Sequence, residues 1–253
     1  MAKSVERFSS RVENYIRYRP GYPPDILDLL KTECGLESNS VVADVGSGTG
    51  ILSELFLQNG NLLIGVEPNE AMRDAGEQLL QQYSKFKSVN GTAEATTLPD
   101  DNVDFIVAGQ AFHWFDPVAT KSEWRRILKP AGWAVIVWNE RHVDSTPFLR
   151  DYEALLLKFS LDYPVVRHEN ATAGAETFFE PNTPRTKVFP NYQDFDYEAL
   201  QGRLFSSSYA PEAGHPNFEP MLKRLREAFD AHQESGQVRF EYDTRVIYGQ
   251  LGG

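Results

Sequence analysis

The run Asp44-Val45-Gly46-Ser47-Gly48-Thr49-Gly50 sets three glycines at every second position behind an acidic residue. Glycines so spaced permit positive φ and close approach of a ligand to the backbone, and the apolar residues on either side put the loop where a buried strand turns into a helix. A dinucleotide fingerprint would place its third glycine at position 51, which is Ile51, so the spacing is G-x-G-x-G. A pyrophosphate gains nothing from a carboxylate beside it. An acid at this point suits an ammonium-bearing ligand, while backbone N–H groups at the helix start can hold a carboxylate. Glu67 ends the next apolar run, in Gly65-Val66-Glu67-Pro68, 23 residues after Asp44. At the tip of a second strand it is placed to accept both hydroxyls of a ribose, and Pro68 turns the chain out of the sheet. Loop and acid together favour an adenosyl ligand.

Other residues carry two readings each. His113, within Phe112-His113-Trp114-Phe115, is a candidate general base or a ring packed among aromatics. Trp114 and Phe115 are candidate substrate walls or core residues. Arg7, Arg11, Arg17 and Arg19 alternate with Phe8, Tyr15, Tyr18 and Tyr22 in the first 22 residues. Laid over the glycine loop, this segment would close a pocket, with Tyr15 or Tyr18 on a cofactor, Tyr22 toward a substrate and Arg19 pairing a carboxylate. Surface arginines balanced by Glu6 and Glu13 are the plainer alternative. Arg141 and His142 stand either near the pocket mouth or in solvent.

The elements that must position these groups follow from hydrophobic periodicity. A helix begins after Pro23-Pro24, with Ile26, Leu27, Leu30 and Cys34 on one stripe and Gly35 as its stop. Apolar runs at 41–45, 62–66, 86–90, 103–108 and 133–138 read as strands, and helical spacing between them reads as βαβ units of a doubly wound, mostly parallel sheet. The intervening helices carry Ile51, Leu52, Leu55 and Phe56, then Met72 to Tyr83, then Trp124, Ile127 and Leu128. After residue 140 the rhythm breaks. Helices are expected near 148–161, 197–204 and 218–231, an irregular connection over 162–193 containing a strand near 186–189, and a closing strand over 238–248 with one wetter face. The expected plan is one domain, with 1–22 as a lid, 23–140 as the cofactor core and 141–253 shaping the acceptor pocket.

Composition narrows the function classes. Lys plus Arg give 25 against 36 Asp plus Glu, a net charge of −11, so a polynucleotide partner is disfavoured. The unevenness matters, because the first 22 residues hold five of the basic groups and two of the acids. Cys34 is the only cysteine, which excludes an internal disulfide and a Cys-based zinc cluster, and no metal site is expected. A reducing, cytoplasmic compartment and no membrane span are expected.

The runs VVADVGSGTG, GVEPNEAM and GTAEATTLPDDNVDFIVAGQAFHWF resemble the class I S-adenosylmethionine-dependent methyltransferases, and RYRPGYP with AFHWFD resembles the type 11 small-molecule subgroup that includes trans-aconitate methyltransferase-like proteins. The resemblance implies a Rossmann-like, seven-stranded sheet in the order 3-2-1-4-5-7-6 with an antiparallel seventh strand. It implies S-adenosylmethionine as cofactor and S-adenosylhomocysteine as product. Asp44, Gly46, Ser47, Gly48 and Gly50 match the loop for the methionine end, and Glu67 the ribose acid. Asn69 and Met72 match positions flanking the adenine, with Pro68 counted among the cofactor-binding residues beside them, Ala93 and Glu94 the segment facing its amine, and Gln110 and Ala111 the wall beside the sulfonium. The sulfonium methyl is already activated, so the task is to align a nucleophile and exclude water; a carboxylate acceptor needs no base. A nicotinamide-dependent oxidoreductase and a non-catalytic S-adenosylmethionine-binding protein are the rival readings.

Overall fold

The computed structural model describes residues 16–161, 163, 173–207 and 209–252. Seven strands form one sheet: β1 (Val41–Val45), β2 (Leu62–Val66), β3 (Phe86–Val89), β4 (Val103–Gly109), β5 (Leu128–Arg141), β6 (Arg185–Phe195) and β7 (Val238–Gly249). Their order is β3-β2-β1-β4-β5-β7-β6, with β1 to β5 parallel and β7 antiparallel to both of its neighbours. This is the order the family resemblance implies. The helices are α1 (Asp25–Cys34), α2 (Ile51–Gln58), α3 (Glu70–Leu80), α4 (Pro117–Ile127), α5 (Pro147–Phe159), the short α6 (Ala173–Thr177), α7 (Tyr197–Phe205) and α8 (Phe218–His232).

Parallel strands buried on both faces read as continuous apolar runs, which is why β1, β2 and β4 fall where the pattern puts them. One face packs Ile64, Ile106 and Ile136 under Trp124, Ile127 and Phe179. The opposite face packs Leu63, Val107, Val137 and Val246 under Ile26, Leu30 and Phe56. A third cluster joins α5, α7 and α8 to the start of β7 through Tyr152, Leu156, Leu200, Leu225 and Phe240. Among the described residues no helix is long and apolar enough to cross a membrane.

Four expectations are corrected. β5 starts at Leu128 and ends at Arg141, longer than 133–138, because the Lys129–Gly132 turn is taken up as a register shift between Val103 and Phe105 of β4. The strand expected near 186–189 is the eleven-residue β6, which also takes in 185 and 190–195, and Pro190 is tolerated because β6 is an edge strand. α3 stops at Leu80, leaving Tyr83 in a turn whose N–H bonds the Leu80 carbonyl at 2.9 Å. β7 alternates wet and buried faces only in its first half; from Val246 onward both faces are covered.

The chain entering α1 is clamped by the far end of the sequence. Gly21 carbonyl accepts from the Asn139 amide at 3.1 Å and the Asn191 amide at 3.0 Å. Arg19 Nη2 donates to the Ser206 carbonyl at 2.9 Å, and Tyr18 lies so close over α7 that a Cβ on Gly202 would stand 1.9 Å from its ring. Gly202→Ala must therefore displace Tyr18. We expect a loss of about 1–3 kcal/mol in urea unfolding, the usual cost of overpacking, together with faster tryptic cleavage after Arg17.

Candidate functional site

The carboxyl ends of β1 and β4 diverge where the strand order reverses, and the loops that follow them line a cleft. Open parallel sheets bind ligands at this place. The cleft is lined by Asp44 and the glycine loop on one side, Gly109 and Gln110 on the other, and Arg19, Pro20 and Tyr22 of the N-terminal segment across the top. Gly46, Gly48 and Gly50 all have positive φ, at 72°, 55° and 86°. A Cβ on Gly46 would fall 2.6 Å from the Ala111 Cβ, and one on Gly50 2.5 Å from Leu80, so the loop needs glycine for space as well as conformation.

Two buried acids govern the electrostatics. Asp44 accepts from Ser53 Oγ at 2.6 Å through Oδ2, while its buried Oδ1 accepts nothing. Burial first, then the neighbouring Glu67, push its pKa up to about 7 against the pull of Ser53. Glu67 accepts from the Gly48 N–H at 2.9 Å and the Asn69 N–H at 2.8 Å. Its pKa is also raised, burial outweighing those two bonds. Glu67 thus ties β2, the glycine loop and the start of α3 together. Asn69 caps α3 through the Met72 N–H at 3.1 Å, and Met72 packs its methyl 3.4 Å from where a Cβ on Gly48 would be. Pro68 is exposed beside them.

On the other wall, Gln110 holds φ at 55°, a strained conformation for a side chain of this kind, and its amide donates to the Asn139 carbonyl at 3.1 Å. Its Oε1 is buried without a partner, as is Thr49 Oγ1. Three uncommitted buried oxygens, on Asp44, Thr49 and Gln110, therefore line one cleft. Such oxygens invite a donor-bearing ligand, because leaving them dry costs about 1–3 kcal/mol each.

His113 stands beyond the lining, its ring 4.3 Å from Trp114 and edge-on to Trp138 at 5.0 Å. Crowding by protein pushes its pKa down to about 4, and although its open edge still meets water, no acid opposes the shift. It is neutral at pH 7. Trp114 is exposed, whereas Phe115 packs edge-on to Phe112 and Trp124 and braces Gly46 from below. Of the two readings for Phe115, the structure places core packing.

Several expected groups sit elsewhere. Arg141 is neither in solvent nor at the mouth; it is buried, paired with Glu153 at 2.5 Å and bonded to the Tyr163 hydroxyl at 3.0 Å, because β5 runs on beneath the α5 layer. Glu94 accepts from the Asp116 N–H at 2.9 Å, bracing the turn into α4, with buried Ala93 beside it. The amides of Gly46 and Ser47 are spent on the Val66 carbonyl, that of Gly48 on Glu67 and that of Gly50 on Ser47, so the loop offers an anion fewer donors than its glycines suggest. Tyr15 lies outside the described residues. Pro20, Thr49, Leu52 and Asn139 were not singled out as site residues by sequence; of these Thr49, inside the glycine motif, and Pro20, inside RYRPGYP, carried a signal.

Residues 43–136 match the family model described as Methyltransferase domain. An uncharacterized methyltransferase of Mycobacterium tuberculosis is 37% identical over 134 residues, 53% of this chain and 52% of that protein, so the chain spans about half the length of the curated relatives of this kind. An uncharacterized methyltransferase-like protein of Schizosaccharomyces pombe is 29% identical over 255 residues, 98% of this chain and 97% of its own length. A solved structure provisionally named a type II methyltransferase, from Anaeromyxobacter dehalogenans, superposes with a TM-score of 0.70 at 21% identity, covering 92% of this chain and 98% of that one. Residues 43–136 thus match a methyltransferase domain, and the chain as a whole has a Rossmann-like fold. The uncommitted Asp44 oxygen and the glycine cradle fit the ammonium and methionine end of S-adenosylmethionine.

Asp44 gives this fit a pH signature. Its carboxyl is raised above the ordinary 3.8 to about 7, so the stability tied to its protonated form is full below 3.8 and is lost as pH rises through 7. An ammonium group needs the ionised form. Calorimetry should show S-adenosylhomocysteine binding about tenfold tighter at pH 8 than at pH 6, and Asp44→Asn should flatten that dependence and weaken binding.

Proposed function

We propose that the chain is an S-adenosylmethionine-dependent methyltransferase acting on a small-molecule acceptor that bears a carboxylate. The observation that carries the reading is the convergence of the Asp44, Thr49 and Gln110 oxygens on one cleft whose rim is fixed by Glu67. Asp44 and the glycine loop hold the methionine end, Glu67 the ribose, Asn69 and Met72 the adenine side with Ala93 and Glu94, and Gln110 and Ala111 the wall at the reacting centre. Arg19 and Tyr22 close the cleft from above. When bound, the cofactor supplies an electrophilic methyl on a sulfonium. The chain aligns the acceptor, keeps water out and, for a protonated acceptor, receives the proton at His113, which is neutral at pH 7.

The finer likeness, to trans-aconitate methyltransferase-like proteins, is supported by the RYRPGYP run, whose Arg19, Pro20 and Tyr22 line the cleft. An acidic acceptor suits this positive segment in an otherwise acidic chain. The oxidoreductase alternative lacks support, since Asp44 would oppose a pyrophosphate and the domain match is to methyltransferases. A small acceptor, no polynucleotide partner and a reducing, cytoplasmic setting complete the proposal.

Isothermal calorimetry with S-adenosylmethionine and its demethylated product tests the cofactor. Glu67→Ala should weaken both by about 30-fold, or roughly 2 kcal/mol, through lost ribose hydrogen bonds; no heat with folded wild-type protein rejects the reading. A labelled-methyl screen tests the acceptor. Carboxylates should be labelled, with His113→Asn keeping the rate within about threefold, since no proton need be removed. A loss of about 100-fold or more in that variant marks His113 as a base and the acceptor as a protonated group.

A further inference from the structure

Arg203 lies on α7 and is 5% exposed. Its Nη1 reaches only the Ser206 hydroxyl at 3.4 Å and the Ser207 hydroxyl at 3.2 Å, and the Tyr242 hydroxyl stands beside it. Its Nε donates to nothing. Among the described residues no carboxylate pairs with it. Arg141 approaches the same Phe240 ring, at 5.9 Å against 5.8 Å for Arg203, but Arg141 has Glu153. Among the described residues the cluster thus buries two guanidinium groups and one carboxylate. Between them the Tyr152 hydroxyl, on a residue 1% exposed, is also without a partner.

Leaving a buried guanidinium uncompensated costs several kcal/mol, more than its contact with one aromatic face returns. A second observation ties the cluster to the cleft. Ser206 bonds Arg203 through its hydroxyl and Arg19, a cleft residue, through its carbonyl. On the other side Arg141 lies two residues beyond Asn139 on the same face of β5, about 7 Å along the strand, and the Asn139 carbonyl holds the Gln110 amide. The unpaired cation is therefore one residue layer behind the wall of the transfer site.

We propose that Arg203 and the Tyr152 hydroxyl form a carboxylate-binding subsite that anchors the acceptor by a group other than the one methylated. This rests on the methyltransferase reading. One uncompensated positive charge matches one carboxylate, and a planar guanidinium fork with a neutral hydroxyl beside it matches carboxylate geometry. A phosphate dianion would need a second free cation.

The test uses the full chain saturated with S-adenosylhomocysteine and measures thermal stability against acetate, succinate, glutarate and citrate, with their amides and matched chloride as controls. At least one acid should stabilise the wild type and its amide should not. Arg203→Met should weaken that acid's binding at least about tenfold while the acid-free protein stays as stable or becomes more so, since an unpaired buried charge has been replaced by an apolar side chain of similar length. Arg203→Lys, which keeps the charge and loses the fork, should show the same loss of acid binding and serves if the methionine variant does not fold. The subsite is overturned if S-adenosylhomocysteine binds but no acid stabilises, if inorganic phosphate stabilises as strongly as every acid, or if both variants keep the wild-type acid response. Failure to bind S-adenosylhomocysteine overturns the methyltransferase reading itself.

Discussion

The Glu67 carboxylate is the joint on which the site depends. By accepting from Gly48 on one oxygen and Asn69 on the other, it fixes the glycine loop after β1 to the tip of β2 and to the start of α3. Those two bonds leave lone pairs on each oxygen, so the same group that shapes the loop can still accept from a ligand. Without it Gly48 would lose that bond, and the loop would rest on the Gly46 and Ser47 amides that donate to the Val66 carbonyl. The strain at Gln110 belongs to the facing wall, where β4 ends and the chain turns sharply toward His113.

The charge distribution separates surface from interior. The chain is acidic overall, yet Arg141 of β5 and Arg203 of α7 have buried side chains, and Arg19 is brought to the cleft. The clamp on Gly21 connects these features: Asn139 and Asn191, on β5 and β6, hold the N-terminal segment over the cleft, and Thr244 of β7 donates to Asn139 Oδ1 at 2.5 Å. The C-terminal third is thus the framework that seats residues 18–21 beside the cleft.

How much of this could be read from the chain depended on locality. The βαβ alternation and the G-x-G-x-G loop are local patterns, and strands buried on both faces advertise themselves as apolar runs, so β1, β2 and β4 and the strand-end places of Asp44 and Glu67 were legible. β6 was read only in part, because an edge strand with mixed exposure and Pro190 lacks an apolar signature. Arg141 was misplaced because its burial depends on Glu153 and Tyr163 arriving from α5 and the loop beyond it. Asn191 and Gly21 are 170 residues apart in sequence, and nothing near either residue announces the bond between them.

The central claim is that S-adenosylmethionine, or its demethylated product, occupies the cleft between the glycine loop and Gln110. Hydrogen–deuterium exchange of the intact chain with and without S-adenosylhomocysteine tests it most directly. Slower exchange concentrated in 44–54, 65–72 and 109–111, with the 16–22 segment following, is the predicted result. Unchanged exchange at those segments under saturating ligand, or protection confined to another face of the sheet, would contradict it.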